Sequence, residues 1–305
     1  MAKRQLPAWQ SLPLRVLLGT LGFGASLLPR RAELAAGRGL GRVVHRLGLF
    51  KRRTVDENLR LCYPELSDAA RRDLARRNFE HYGILFFETL HFFTPGSGHY
   101  RRYVASVGRL EGREHWEKAH AKGKGVIFFS AHRGCWEVAG AAAALSGIVA
   151  TVVTTVLTPR WLHDKITAGR AETGISAAFH PGSMPAVLRA LRRGETVVFM
   201  NDQYAHPPMG VPARFFGHRV DTLAVVGPLA KRTGAAVLPI GTVRGPDGVT
   251  TARIEPELDL SGAADAEAAT QIVATHVEGW VRAAPEQWLW MHRRFKNIHP
   301  PEGVS

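Results

Sequence analysis

The chain has 305 residues, 45% of them hydrophobic, two cysteines and a formal net charge of +14. That length admits one large α/β domain plus a short appendage and excludes two sizeable unrelated domains. Cys62 and Cys135 supply neither a disulfide framework nor a metal-ligand spacing, so a reducing, cytoplasm-facing setting is expected.

The basic excess sits at the front: residues 1–62 hold twelve Lys/Arg against Glu33, Asp56 and Glu57. Such a balance suits nucleic acid or an anionic membrane. No base-reading or stacking module accompanies it, so no nucleic-acid partner is expected. The basic residues instead flank an apolar run, Leu14–Leu28, interrupted only by Arg15. A spanning helix needs roughly 20 apolar residues, and Gly19, Gly22 and Gly24 weaken an isolated helix. The run therefore reads as a membrane-associated helix, interfacial or tilted, with a buried core helix as the plain alternative. Lys3 and Arg4 imitate the start of a signal peptide, but Pro29-Arg30-Arg31 is a poor cleavage site, so the segment is expected to be retained. Residues 1–50 are read as this anchoring, basic helical region and residues 51–300 as the main domain.

Residues 69–93 follow as a long amphipathic helix, stopped by Thr94-Pro95-Gly96-Ser97-Gly98. Its aromatic cluster, Phe86, Phe87, Phe92 and Phe93, exceeds one packing face and serves either the core or lipid tails. From residue 125 short β-rich runs (125–130, 151–157, 196–201, 235–243, 249–256) alternate with helical patterns (136–146, 185–193, 222–232, 268–284). Continuous apolar strands between crossover helices predict an α/β fold with a mixed, largely parallel central sheet flanked by helices.

The stretch Ser130-Ala-His132-Arg-Gly134-Cys-Trp-Glu137 places a histidine at a strand's exit, where open α/β sheets form their ligand crevices. On a continuous helix, positions five apart lie about 140° around from one another. A turn at Gly134 is therefore needed for Glu137 to accept a hydrogen bond from the imidazole. With that turn, His132 becomes a general base and Glu137 its orienting carboxylate. No Gly-x-Ser-x-Gly elbow supplies an enzyme nucleophile, so an acceptor alcohol would attack an acyl thioester directly. A satisfied structural histidine is the competing reading. Zinc is disfavoured because His-Glu-x-x-His is absent, and no metal or other cofactor is expected.

Further blocks stand in order along the chain. They are Arg53; Asn58-Leu59-x-x-Cys62-Tyr63-Pro64-Glu65-Leu66-Ser67; Gly108-x-Leu110-Glu111-Gly112-Arg113-Glu114; and the His132 block. After these come Ile166-Thr-Ala-Gly-Arg170; Leu191-Arg-Arg-Gly194; Asn201-Asp202-Gln203; Val211-Pro-Ala-Arg-Phe215-Phe216-Gly217; and Pro285-Glu-Gln-Trp288-Leu-Trp290-Met-His292-Arg293-Arg294-Phe295-Lys296. With them the chain resembles the bacterial lipid A biosynthesis lauroyl/myristoyl acyltransferases, within the lysophospholipid acyltransferase superfamily. Cys135 departs from the family's pattern, which carries Asn or a similar residue there.

The resemblance implies a glycerol-3-phosphate acyltransferase-like fold and makes His132 and Glu137 the catalytic motif. It also implies a donor, acyl carrier protein or acyl-CoA, a glycolipid acceptor such as a lipid A precursor, and an inner-membrane location with the site facing the cytoplasm. Oxyanion donors are expected at the N-terminus of the 136–146 helix. Arg170 is the candidate for gripping an acidic group of the acceptor, with Asp202 and Gln203 lining the same crevice; an Arg–Asp pair bracing two loops is the bland alternative. Trp288, Trp290, His292, Arg293, Arg294 and Lys296 suggest either a patch for a membrane or an acidic carrier, or a final strand. Acylation of another headgroup such as phosphatidylinositol mannoside, and a non-catalytic lipid-binding membrane protein, are the alternative functions.

Overall fold

The computed structural model describes residues 8–300; Met1–Pro7, with Lys3 and Arg4, and the last five residues lie outside the described part. Five helices come first: α1 (Ala8–Ser26), α2 (Arg30–Arg46), α3 (Arg52–Cys62), α4 (Asp68–Leu90) and α5 (His99–Val107). The alternating part follows as β1 (Gly108–Glu111), α6 (Arg113–His120), β2 (Val126–Ser130), α7 (Trp136–Leu145), β3 (Ala150–Thr155), α8 (Arg160–Thr173), β4 (Ser176–His180), α9 (Met184–Arg192) and β5 (Thr196–Met200). The chain then runs through β6 (Gly210–Phe215), β7 (His218–Leu223), α10 (Val226–Thr233), β8 (Ala236–Arg244), β9 (Thr250–Ile254) and α11 (Ala266–Ala283).

Seven strands form one sheet in the order β1-β9-β8-β2-β5-β3-β4. From β8 to β4 every pairing is parallel; β9 turns back antiparallel on β8 and carries β1 parallel to itself. The sheet is thus mixed and largely parallel, as the apolar runs predict. Every residue of β2 is buried, as expected of a strand covered on both faces. Ile127, Phe129, Val197, Phe199 and Val237 pack toward α9, α10 and α11. Val126, Phe128, Leu238 and Ile240 pack toward α6 and α7.

Two strands of this sheet, β1 and β4, carry too little apolar character to be read from sequence. The separate hairpin β6–β7 also departs from expectation, because residues 218–223 form a strand and the helix predicted from 222 begins only at Val226. Its two-residue turn, Phe216-Gly217, has positive φ at both positions (50° and 77°), the twist a tight hairpin requires. Phe216 is held there by a buried ring packed on Tyr63 and Trp290 and under Arg282.

Ser67 caps α4, its hydroxyl accepting from Ala70 N–H at 3.2 Å, and the helix stops at Leu90, short of the proline. Along its flank α2 lies unusually close. A Cβ on Gly83 would stand 2.0 Å from the Gly37 carbonyl oxygen, and one on Gly41 would stand 2.1 Å from that of Phe79. The glycines are the condition for this packing. Among the described residues no helix is long and apolar enough to cross a membrane. Instead α1 exposes Leu14, Val16, Leu17 and Phe23, and the α2–α3 connection exposes Leu47, Leu49 and Phe50. Of the aromatic cluster at the end of α4 and in the turn after it, Phe92 is buried in the core and Phe86 is exposed.

Gly83→Ala is therefore expected to lower stability by about 1–3 kcal/mol through overpacking. Gly39→Ala, where nothing lies within 4 Å, should leave stability unchanged or gain up to about 1 kcal/mol. Thermal unfolding of the two variants checks the pair.

Candidate active site

Strands β2 and β5 run parallel in register, with Ser130 opposite Met200. The residues two places beyond each, His132 and Asp202, emerge side by side at the carboxyl edge of the sheet, where open α/β sheets place their sites. Asn201 N–H donates to the Ser130 carbonyl at 2.9 Å, extending the pairing past the strand ends. His132 Nδ1 lies 2.8 Å from Asp202 Oδ1, and His132 backbone N–H donates to Oδ2 at 2.9 Å. The Trp288 indole N–H donates to the same Oδ2 at 2.8 Å. Burial alone would raise the Asp202 carboxyl; the His132 charge and these hydrogen bonds outweigh it and hold the group below the ordinary carboxylate range. An anionic Asp202 fixes the proton on Nδ1 and leaves Nε2 as the free base.

Glu137 takes no part in this contact, which corrects the geometry expected from sequence. It lies in the first turn of α7 and accepts two bonds from Arg170 in the last turn of α8, Nε to Oε2 at 2.9 Å and Nη2 to Oε1 at 2.6 Å. The guanidinium fork matches the carboxylate bidentately, and the imidazole's Nδ1 face is already occupied. Burial pulls the Arg170 guanidinium down, but the Glu137 carboxylate raises it above its ordinary value. The partner of Arg170 is thus Glu137, not Asp202. Gln203 lies with its amide 3.2 Å from His132 Nδ1. Trp136 stands edge-on to the imidazole at 5.1 Å.

The loop carrying His132 is braced from behind. Gly134 has φ of 60°, and a Cβ there would meet Thr242 at 2.9 Å. Gly134 N–H donates to the Gln287 carbonyl at 3.1 Å, Leu289 N–H to the His132 carbonyl at 3.1 Å, and Arg133 Nε to the Thr242 carbonyl at 2.8 Å. The closing segment is therefore neither a surface patch nor a strand. Trp288, Trp290 and Arg294 are buried, and only Arg293 and Lys296 of the basic residues point outward. Arg294 donates to the Asp221 carbonyl at 2.7 Å, and burial lowers its guanidinium to about 10. The His292 imidazole, half-buried, is pulled down to about 4, chiefly by burial.

His132, Glu137, Arg170 and Gln203 line a cavity of about 730 Å³. The cavity straddles the strand ends. On the α7 face its wall is apolar and small, including Phe128, Ala139, Gly140, Ala143, Ile148 and Val198. On the α9–α10 face it includes Leu188, Phe199, Pro228 and Leu229, and it reaches Arg232. Among the described residues no group of three His, Cys, Asp or Glu side chains is arranged to hold a metal ion.

Asp202 lies at the crevice as its sequence position predicts, but it, rather than Glu137, meets the imidazole. The signal for Asp202 was an acidic residue directly following an apolar strand, readable only once that strand is known to neighbour β2. Nothing local marked Trp288 as the donor behind it.

A chain of this design matches known proteins over nearly its whole length. The family model described as bacterial lipid A biosynthesis acyltransferase matches residues 14–297. The lipid A biosynthesis lauroyltransferase of Escherichia coli (strain K12) is 29% identical over 304 residues, covering 95% of this chain and 94% of that protein. The lipid A biosynthesis palmitoleoyltransferase of the same strain is 27% identical over 248 residues, 79% and 77% of the two chains. Its myristoyltransferase is 26% identical over 291 residues, 92% and 85% of the two chains. A solved 1-acyl-sn-glycerophosphate acyltransferase from Thermotoga maritima superposes loosely, with TM-score 0.40 at 13% identity over 86% of this chain and 100% of that one. The chain belongs to the bacterial lipid A biosynthesis acyltransferase family and is an acyltransferase.

Proposed function

We propose that the protein moves a fatty acyl chain from a thioester donor, acyl carrier protein or acyl-CoA, to a hydroxyl of a lipid A precursor, with His132 as general base oriented by Asp202. The observation that carries this reading is the His132–Asp202 pair, 2.8 Å apart, opening onto a cavity walled by apolar side chains. The acceptor hydroxyl gives its proton to Nε2 as its oxygen attacks the thioester carbon. The tetrahedral oxyanion collapses, the carbon–sulfur bond breaks, and the thiolate takes the proton back from the imidazolium. Asp202 stabilises that imidazolium without taking the proton itself. The first turn of α7 points backbone N–H groups and a partial positive charge toward this end of the cavity, a suitable place for the oxyanion.

Glu137 and Arg170 form the rim beside the base. Two donors of Arg170 are engaged by Glu137, which fixes the plane of the guanidinium and leaves Nη1 to meet an acidic group of the acceptor. Lipid access fits the apolar residues exposed on α1 and in the α2–α3 connection, together with the basic weight of residues 1–62. Apolar insertion beside anionic-headgroup attraction describes an interfacial element. We accordingly place the protein at the inner membrane with its site on the cytoplasmic side.

His132→Ala is expected to reduce transfer to background, and Asp202→Asn to lower kcat by about 10²–10⁴-fold. Both are read with a labelled acyl donor and a lipid A precursor; full activity in either variant would overturn the mechanism. Preference for a phosphatidylinositol mannoside in the same assay would move the acceptor to another headgroup.

Arg170→Lys keeps the charge but loses the fork. It should raise the acceptor KM about tenfold or more and leave the donor KM unchanged, as steady-state kinetics would show.

Replacing Leu17 and Phe50 together by Glu should weaken sedimentation with anionic vesicles and leave the unfolding temperature unchanged. Undiminished sedimentation would remove this surface from the lipid contact.

A further inference from the structure

The edge of β7 that faces away from β6 is covered by two separate segments, and the first of them carries the partner of the base. Asn201 Nδ2 donates to the Leu223 carbonyl at 3.2 Å, Tyr204 bridges Thr222, and Ala205 N–H donates to the Asp221 carbonyl at 3.3 Å. The loop that presents Asp202 and Gln203 is thus laid antiparallel along β7, and its backbone bonds end at Asp221.

The second segment is the closing one. Ile298 bridges Val220, and His299 N–H donates to the Arg219 carbonyl at 2.9 Å, so residues 297–299 continue along the same edge. One carboxylate clamps them there. The Asp221 side chain, 1% exposed, accepts from His299 Nε2 on Oδ1 and from Asn297 Nδ2 on Oδ2, both at 2.7 Å. Just before them the buried Arg294 donates to the Asp221 carbonyl and to the Thr222 hydroxyl. Where the two segments abut, Lys296 Nζ stands 3.9 Å over the Tyr204 ring. Tyr204, with His132, lines the cavity.

We propose that Asp221 is a positioning residue for acyl transfer: by clamping Asn297 and His299 onto β7 it fixes the loop that holds Asp202 against His132. The inference rests on the acyl-transfer reading above. Burying a carboxylate is unfavourable unless hydrogen bonds offset the lost water, and here one bond to each oxygen comes from the closing segment, so the acid holds that segment in register. The segment reaches Asp202 by two routes. At its start the Trp288 indole donates to Oδ2 directly; at its end the clamp locks the strand edge to which the Asp202 loop is bonded. With the clamp open, residues 295–299 and the Lys296–Tyr204 contact are free to shift, and the Asp202 loop loses the neighbour against which it is set. The paired anion is what raises the basicity of the imidazole, so a looser pair makes His132 a weaker base. The charged and titratable groups around His132 are Asp202, His292 and the Glu137–Arg170 pair, and the variants below alter none of them.

The test removes the two donors and leaves Asp221 in place: Asn297→Ala with His299→Ala, in the full chain. Asn297 is exposed and His299 partly so. His299→Gln, whose amide places a donor where Nε2 stands, is the conservative comparison, and Asn297→Ala alone is the milder form should the double variant fold poorly. Steady-state transfer from a labelled thioester donor to a lipid A precursor is followed against pH, with the folded fraction read by circular dichroism. The double variant should lower kcat about tenfold and leave both KM values within about twofold. It should also move the acid limb of kcat/KM to lower pH, because a weaker base gives up its proton earlier. Asn297→Ala alone should move the limb the same way by less, and His299→Gln should match the parent. An unmoved acid limb would overturn the proposal, as would a fall in kcat that vanishes once corrected for folded protein. His132→Ala run alongside separates the two failures: full activity there refutes the acyl-transfer reading, whereas background activity there beside an unchanged double variant refutes only the clamp.

Discussion

The hydrogen bond between His132 and Asp202 exists because two parallel strands end in register, and the rest of the site is arranged around that fact. Ser130 and Met200 are paired across β2 and β5, and each chain continues two residues before its functional side chain emerges. The carboxylate is buried, which on its own would favour the neutral acid. It remains anionic because the imidazole, a backbone N–H and the Trp288 indole all bond to it. A group so satisfied is fixed in position before any substrate arrives, and proton transfer depends on that fixity.

Such fixity has to be supplied from outside the loop itself. Gln287 exchanges two bonds with the backbone of Arg244, at 2.8 and 2.9 Å, while its own carbonyl accepts from Gly134. Arg244 is in turn paired with the buried Glu88, which also accepts from Arg30 of α2 at 2.5 Å. Burial together with the Arg244 charge keeps His81 from protonating, so its Nδ1 is free to accept from that guanidinium at 2.6 Å. A buried ionic cluster of this kind is weak as a source of net stability, since desolvation offsets much of the attraction, yet losing one member strands the others. Its consequence here is specificity of position. The first helical hairpin, the β8 end and the loop carrying His132 share one hydrogen-bonded network.

How much of this was legible in the sequence depended on whether the signal was local. The apolar runs at 125–130, 196–201 and 235–243 were continuous enough to declare a largely parallel sheet, and the position of His132 at a strand exit followed from them. Weak strands escaped: Ser176–His180 has little apolar character, and His218–Leu223 carries an Asp and a Thr that its hairpin buries. Glu137 was assigned to the imidazole because it is near in sequence, whereas the actual partner lies 70 residues away and depends on strand order, which periodicity does not encode. The Trp288-x-Trp290 segment misled for a related reason. Aromatic and basic residues together resemble a membrane patch, but the indoles here are spent on Asp202 and on the Pro285 carbonyl, and Arg294 is enclosed between Phe215 and the hairpin backbone.

Strand order also gives the two edges of the sheet different characters. Crossover connections leave the carboxyl edge of a parallel sheet free for loops, and here that edge carries the His132–Asp202 pair, the Glu137–Arg170 pair and the Arg30 contact to the Gly248 carbonyl at 2.6 Å. Through Arg30 the helices bearing the exposed apolar residues are tied to the same edge as His132. The amino edge, by contrast, gathers helix C-termini, whose partial negative charge favours cations; α9 ends on Arg189 and Arg192, and α10 on Lys231 and Arg232. The polarity of the helices therefore sets the charge of one edge while the loops set the chemistry of the other. The cavity lined from both faces of the sheet near β2 lies between these two edges.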